Sequence, residues 1–499
     1  MQTGVIVSLA AYFAAMLGIG LWAWKKTSSD IGGYLLGGRK LGPAVAALSA
    51  GASDMSGWLL LGLPGAAFAS GLSASWIAIG LFAGALLNYL IVAPRLRVHT
   101  ERTGDSITIP EYLERRLGGN GHLLRVVASL VIVVFFTLYT SAGVVAGGKL
   151  FQTSFGADYA LGLWITTGVV VVYTLFGGFL AVSLTDFVQG CIMFVALVLL
   201  PLVAFANLGG EFTGALQAVN PQAFDLMADM TGVAIVSSLA WGLGYFGQPH
   251  IIVRFMAVRS VRDVPTMRNI GMGWMAVSLI GALATGLIGA AYVARTGTPL
   301  SDPETIFLLL ADVLFDPLIT GFMLAALLAA IMSTISSQLL VSSSSLTEDF
   351  YRLYFRREAG QGELVAVGRA SVLVVALLAV WLAYDPENSI LGLVANAWAG
   401  FGAAFGPVII LALTWKRLTR NGALAGILAG ATTVLFWIYA PVLTGGEALS
   451  SLIYEIVPGF VLGGLAAIVV SLAGPPPSEE VVRTFEESEE ERRRLTAPA

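Results

Sequence analysis

The sequence predicts an all-α membrane protein of about thirteen transmembrane helices, and three observations point there. Hydrophobic residues fill 57% of the 499 positions and charged residues only 12%, whereas a water-facing surface brings roughly 25%. Apolar runs of about 20 residues, the length that crosses a hydrocarbon core, recur along the chain. The basic residues fall almost entirely into alternate gaps between those runs.

Taken in order, the runs predict spans at 4–24, 44–71, 74–94, 124–150, 159–179, 184–207, 232–253, 271–294, 317–346, 366–384, 389–414, 421–440 and 451–473. The first has no Lys or Arg before it and is followed by Lys25 and Lys26, so it reads as a retained span with its N-terminus outside. With that start, all 27 Lys and Arg except Lys149 and Arg295 lie on the cytoplasmic side. Arg254 is counted there as a loop anchor, and no free basic residue is evident at mid-depth. A wrong span count would invert every later loop and spoil the segregation. From Gly474 the composition shifts to Pro and charge, which predicts a cytoplasmic tail over 474–499, a short helix or disordered, attached to a single transport domain over 1–473. The lone Cys191 excludes an internal disulfide, and three His leave little material for a zinc site or a Cys/His catalytic pair.

Four places break the apolar pattern. In the second span, SAGASDMSGW (49–58) sets Asp54 eleven residues past Pro43, about 16 Å into the bilayer at the helical rise. A carboxylate there costs several kcal/mol without a partner, and Gly51 and Gly57 weaken the helix around it. A broken helix beside a buried carboxylate is how secondary transporters expose carbonyls to a cation and amides to an anion; an Asp hydrogen-bonded for packing is the alternative. In the ninth span, MSTISSQLLVSSSS (332–345) places Ser333, Thr334 and Ser337 on one face. Their hydroxyls suit a hard cation such as Na⁺, or else simple close packing of helices. In the seventh span, Trp241, Tyr245 and Gln248 fall at i, i+4 and i+7 among Gly242, Gly244, Gly247 and Pro249. That stripe reads as an aromatic-lined pocket or as an interfacial belt. Asp186, opening the sixth span, is an ion waypoint or a first-turn acid favoured by the helix dipole. Two weakened spans, the second and the seventh, each open a run of five. That pattern predicts an inverted repeat with core halves at about 44–207 and 232–414, and the site between them.

The segments YLLGGRKLGP (34–43), ALSAGASDMSGWLLLGLPGA (47–66), GGFLAVSLTD (177–186), WGLGYFGQPH (241–250) and AAIMSTISSQLLVSSS (329–344) resemble the sodium/solute symporter family, most closely its bacterial proline-carrying branch. The resemblance implies a leucine-transporter-like 5+5 core and sodium-driven import of L-proline through the cytoplasmic membrane. It implies no enzymatic activity, no cofactor beyond Na⁺ as coupling ion, no nucleic acid and no obligate protein partner. It would put sodium on the carbonyls of Ala52, Met55 and Ala330 and the hydroxyls of Ser333 and Thr334, with Asp54 required for coupling. Ser56, Gly57, Trp58, Tyr139, Trp241, Tyr245, Pro249 and Ser337 would form the substrate pocket, Ser337 standing where the family pattern has a Cys. Arg39 would sit near a cytoplasmic gate and Asp186 along the inward ion path. Another small solute, such as pantothenate or a different amino acid, is the runner-up. A channel would need several weak sites along an open pore, and a sensor a longer domain after the last span.

Overall fold

The computed structural model describes residues 2–26, 30–118, 121–385, 390–442 and 448–497. Residue 389, where the sequence starts its eleventh span, lies outside them. Among the described residues every regular element is helical, apart from one parallel bridge between Leu41 and Val258. Ten stretches of the described residues are long and apolar enough to cross a bilayer. Their outer faces are apolar too: Leu202, Ile280 and Trp381 are each more than 60% exposed, which suits lipid and not water.

α1 (Thr3–Lys26) leads to the short α2 (Ile31–Leu36), capped by Asp30, whose carboxylate accepts from the Gly33 N–H. α3 (Pro43–Asp54) starts on a proline, whose missing N–H no helix start needs. It stops at Met55 (φ −82°, ψ 79°), and after a wide turn at Trp58–Gly62 the chain resumes as α4 (Leu63–Ser70). α5 (Ser75–Arg102) follows almost without pause, so that 58–102 is one apolar stretch of 45 residues. α6 (Ile109–Leu117) is a short, largely buried helix, and α7 (Leu123–Phe155) returns through the bundle. α8 (Tyr159–Asn207) spans 49 residues where the sequence predicts two helices. Gly178, at φ +56° and ψ −151°, divides it, a conformation that costs an L side chain dearly and glycine nothing.

After α9 (Phe212–Val219), α10 (Gly232–Leu239) tightens into a 3₁₀ segment at 240–247, and Pro249 opens α11 (Pro249–Ala257). This second break crosses α5 backbone to backbone. A Cβ on Gly84 would overlap the Gly242 carbonyl, and one on Gly242 the Gly80 carbonyl. Next come α12 (Val264–Thr296), α13 (Ile306–Leu314) and α14 (Pro317–Ser344). Asp316 caps α14 through the Leu318 and Ile319 N–H groups, and the helix extends as a wider turn to Phe355. α15 (Gln361–Leu382), α16 (Ile390–Thr414), α17 (Arg420–Tyr439) and α18 (Ile456–Ala473) complete the bundle.

The tail forms α19 (Glu479–Thr496), capped by Ser478 and docked on the end of α5. Phe485 is buried there between the Arg116 guanidinium and the His99 ring. Glu489 and Glu491 meet Arg95, His99 and Arg102.

Candidate ion and substrate sites

The break after α3 exposes main-chain groups that a continuous helix would consume. The Ser56 N–H turns back to the Asp54 carbonyl at 2.9 Å, and the Leu59 N–H to the Ser56 carbonyl at 3.0 Å. The Ala52 carbonyl instead accepts the Ser333 hydroxyl at 2.7 Å and the Thr334 hydroxyl at 3.5 Å. Both hydroxyls also reach the Ala330 carbonyl at 3.2 Å. Four oxygens from α3 and α14 thus converge, all buried and none formally charged. Such a set of carbonyls and hydroxyls suits a hard cation of low charge. Met55, the third of the expected main-chain contributors, is buried just past the end of α3, its N–H bonded to the Gly51 carbonyl at 2.9 Å.

The Asp54 side chain does not join that group. Its Oδ2 accepts the Tyr245 hydroxyl, and its carboxylate lines a small cavity with Asn88, Tyr89, Met272 and Met275. Its main-chain carbonyl accepts the Trp58 indole N–H at 3.1 Å and the Tyr139 hydroxyl at 3.5 Å. One residue therefore ties together three of the expected pocket aromatics. Tyr245 packs edge-on against Trp398, with centroids 5.1 Å apart. The Trp398 indole donates to the Trp241 carbonyl at 2.7 Å, and Trp241 stacks on Tyr454 at 5.3 Å. Gly57 lies where a Cβ would come 3.0 Å from the Ala146 Cβ, beside the buried Ser56.

Trp241, Tyr245 and Gln248 are expected to form one stripe, and here the local winding changes the outcome. Residues 240–247 turn as a 3₁₀ helix, with three residues per turn instead of 3.6. Gln248 ends on the Trp398 carbonyl at 3.1 Å, while Tyr245 points to Asp54. Pro249 faces elsewhere, lining a small cavity with Leu35, Ile107, Ile132 and Leu340.

Ser337, one turn beyond Ser333, belongs to a second polar group. Its hydroxyl meets the Arg254 guanidinium at 2.6 Å, the Ser53 hydroxyl at 2.9 Å and Asp186 Oδ2 at 3.4 Å. Asp186 Oδ2 also accepts Ser49 Oγ at 2.8 Å, Ser53 Oγ at 3.1 Å and Arg254 Nη2 at 3.1 Å. Asp186 and Arg254 are 0% and 1% exposed. This corrects the reading of Arg254 as a loop anchor: it is a buried partner of Asp186, inside the bundle. The clue was present, since Arg254 stands alone in the apolar run IIVRFMAV. Ser49, Ser53 and Trp398 carry no sequence signal of comparable strength.

Arg39 bonds to the same helix two residues beyond Arg254. Its guanidinium donates to Asp105 at 2.6 Å, the Met256 carbonyl at 2.7 Å, the Ser106 carbonyl at 2.8 Å and Thr100 at 3.1 Å. It thereby ties the segment before α3 to the ends of α5 and α11. Arg97 adds a bond to the Val258 carbonyl at 2.7 Å.

A family model described as the sodium:solute symporter family matches residues 34–430. The osmoregulated proline transporter OpuE of Bacillus subtilis is 57% identical over 474 residues, covering 95% of each chain. The high-affinity proline transporter PutP of the same organism is 57% identical over 92% of this chain and 95% of its own. The sodium/proline symporter of Staphylococcus aureus is 51% identical over 93% of this chain and 92% of its own. Among solved structures, a Na⁺-coupled sialic acid symporter in a substrate-bound outward-open state superposes with a TM-score of 0.80 at 20% identity, covering 96% of this chain and 99% of that one. MhsT in complex with L-phenylalanine gives 0.54 at 15% identity, over 86% and 98%. At those identities the structural likenesses establish the fold alone.

Proposed function

The chain belongs to the sodium:solute symporter family; we propose that it carries L-proline with sodium into the cytoplasm, by alternating access, through the groups assembled at its two helix breaks. It is a transporter and not an enzyme.

Sodium binds where the α3 break meets α14, on the carbonyls of Ala52, Met55 and Ala330 and the hydroxyls of Ser333 and Thr334. The observation that carries this reading is the convergence of four of these oxygens from α3 and α14, with Ser333 Oγ, 281 residues on in sequence, only 2.7 Å from the Ala52 carbonyl. Asp54 couples that ion to substrate, because the residue whose neighbours hold sodium also anchors Trp58, Tyr139 and Tyr245. The proline carboxylate meets main-chain amides at Gly57 and Trp58, where the second half-helix begins. Its compact ring packs on Trp58, Tyr139 and Trp241, with Ser56 and Tyr245 completing the surroundings, while Pro249 and Ser337 stand apart from it, on a separate cavity and on the Asp186–Arg254 pair. The pair Asp186–Arg254, with Arg39 below it, closes the cytoplasmic side and must part for release.

The chain crosses the membrane thirteen times. α3 and α4, joined through the break, make one crossing and α5 the next, parted at Gly71, while 159–207 is about twice the length of one crossing and is interrupted at Gly178; both glycines are at positive φ. The shorter 232–257 crosses once, through its break. Spans two to six and seven to eleven form the inverted repeats, a broken span opening each. The N-terminus lies outside and the tail inside. Single cysteines at Thr298 and Thr266, in a Cys191→Ala background, should react with an impermeant reagent from opposite sides; reaction from one side would end the thirteen-span topology.

The function is tested by labelled proline uptake into proteoliposomes. An inward sodium gradient should drive accumulation, and each ligand should tighten equilibrium binding of the other by the same factor. Proline binding indifferent to sodium would overturn the coupling.

A further inference from the structure

α1 lies outside the proposed repeats, yet it places a buried phenol against the helix that carries the sodium hydroxyls. Tyr12, 5% exposed, donates to the Met332 sulfur at 3.6 Å and accepts the Gln189 amide at 2.7 Å. From the other half of α8, the Tyr173 hydroxyl donates to the Met332 main-chain carbonyl at 3.1 Å. Met332 is fully buried and immediately precedes Ser333. One turn on, the Ser336 hydroxyl donates to the Ser333 carbonyl at 3.0 Å. Tyr12 of α1 and Tyr173 of α8 thus hold Met332 of α14 directly, and Gln189, from the other half of α8, holds Tyr12.

Apolar packing alone leaves a transmembrane helix poorly specified in rotation and height, because lipid and protein interior are equally apolar. A cation site tolerates errors of only about 0.5 Å in its donors. We propose that Tyr12, Gln189 and Tyr173 are positioning residues for the sodium site: by holding the side chain and the carbonyl of Met332, they set the rotation of α14 that presents Ser333 and Thr334 to the Ala52 carbonyl. α1 is then part of the ion-binding machinery, moving as one body with α8 and α14. This inference rests on the sodium site proposed above.

The test is sodium-dependent proline uptake by Tyr12→Phe, Gln189→Leu and Tyr173→Phe, each normalised to protein in the membrane. Loss of partners that orient metal ligands typically costs 10–100-fold in affinity. Each variant should therefore raise the half-saturating sodium concentration about tenfold, while the maximal rate and the proline requirement at saturating sodium stay close to the parent's. The Tyr12→Phe and Gln189→Leu effects should not add, because the two residues act through one hydrogen bond. Leu9→Ala, equally buried on α1 and outside the network, should lower protein yield without moving the sodium requirement. An unchanged sodium requirement in all three variants, or an equal rise in Leu9→Ala, overturns the proposal. Ser333→Ala serves as reference. If it too leaves the sodium requirement unchanged, the site itself is misplaced and the proposal falls with it; if it alone raises the requirement, only the positioning role fails.

Discussion

Two buried polar groups share the contact between α3 and α14, one helical turn apart, and they are built on opposite principles. The group at Ser333 and Thr334 contains hydroxyls and carbonyls only, with no charge of its own. The group at Ser337 contains a complete ion pair, Asp186 with Arg254, whose charges cancel and whose hydrogen bonds are supplied by Ser49, Ser53 and Ser337. The first is suited to an arriving cation, because its oxygens have no positive partner in place. The second already holds its cation in the form of a guanidinium. Consecutive residues of α3 serve the two: the Ala52 carbonyl belongs to the neutral group and the Ser53 hydroxyl to the charged one. The difference teaches that burial of polar atoms at one interface does not define one site; what separates the two groups is whether the charge is left open or closed within the protein.

Four measurements would break or sharpen that contrast. The largest effect is expected at Asp54, the next residue along, which joins neither group. Asp54→Asn should bring sodium-driven uptake close to background in a protein that still folds in the membrane. Retained uptake with unchanged sodium dependence would reduce Asp54 to a packing role. Next comes the closed pair. Arg254→Ala strands a buried carboxylate and should destabilise the detergent-solubilised protein by about 3–5 kcal/mol, read by thermal unfolding. Adding Asp186→Ala should recover part of the loss, and no recovery would mean that the two are not energetically paired.

At the neutral group the changes should be milder. Ser333→Ala and Thr334→Ala each remove one oxygen and should raise the half-saturating sodium concentration about tenfold, or roughly 1.4 kcal/mol, with less effect on proline affinity at saturating sodium. If they alter only protein yield, the stretch is a packing surface. The smallest effect lies outside the membrane, at another closed pairing. Burial alone would raise the Glu489 carboxyl, but His99, Arg492 and Arg95 hold it at about 2, below its usual 4.5. A carboxylate depressed on docking stabilises the docked helix above its free value and loses that contribution as pH falls through the lowered one. Protection from hydrogen exchange over 479–496, corrected for the intrinsic rate at each pH, should therefore fall between about pH 4.5 and 2, a step that Glu489→Gln removes.

The helical, membrane-spanning class and the break near Asp54 are legible from the sequence because their signals are local: apolar runs, Gly51 and Gly57, and a carboxylate deep in an apolar segment. The shared face of Ser333, Thr334 and Ser337 follows from helical spacing alone. The partition of that face does not, because it depends on Asp186 and Arg254 arriving from elements far away in sequence. Arg254 also illustrates a competing rule, since a basic residue near a span end is ordinarily a cytoplasmic anchor. The stripe at Trp241, Tyr245 and Gln248 was legible as aromatic but not in its direction, because glycines allow the tighter 3₁₀ winding that a 3.6-residue period misreads. The two spans expected at 159–179 and 184–207 are adjacent parts of one long helical element, and only a dihedral angle at Gly178 separates them.

The crossing of α5 over the second helix break, where Gly80 and Gly84 meet Gly242 with no side chain between, bears on how such a protein can drift over generations. Residues on the lipid-facing surface need only remain greasy, so they can be exchanged freely by neutral change. At the glycine crossing even a methyl group would force two main chains apart, and no second substitution nearby can shrink a backbone to compensate. These three positions have no permissive neighbours in sequence space. A saturation mutagenesis library selected for growth on proline should return glycine alone at 80, 84 and 242, while the exposed flanks of the same helix return almost any apolar residue.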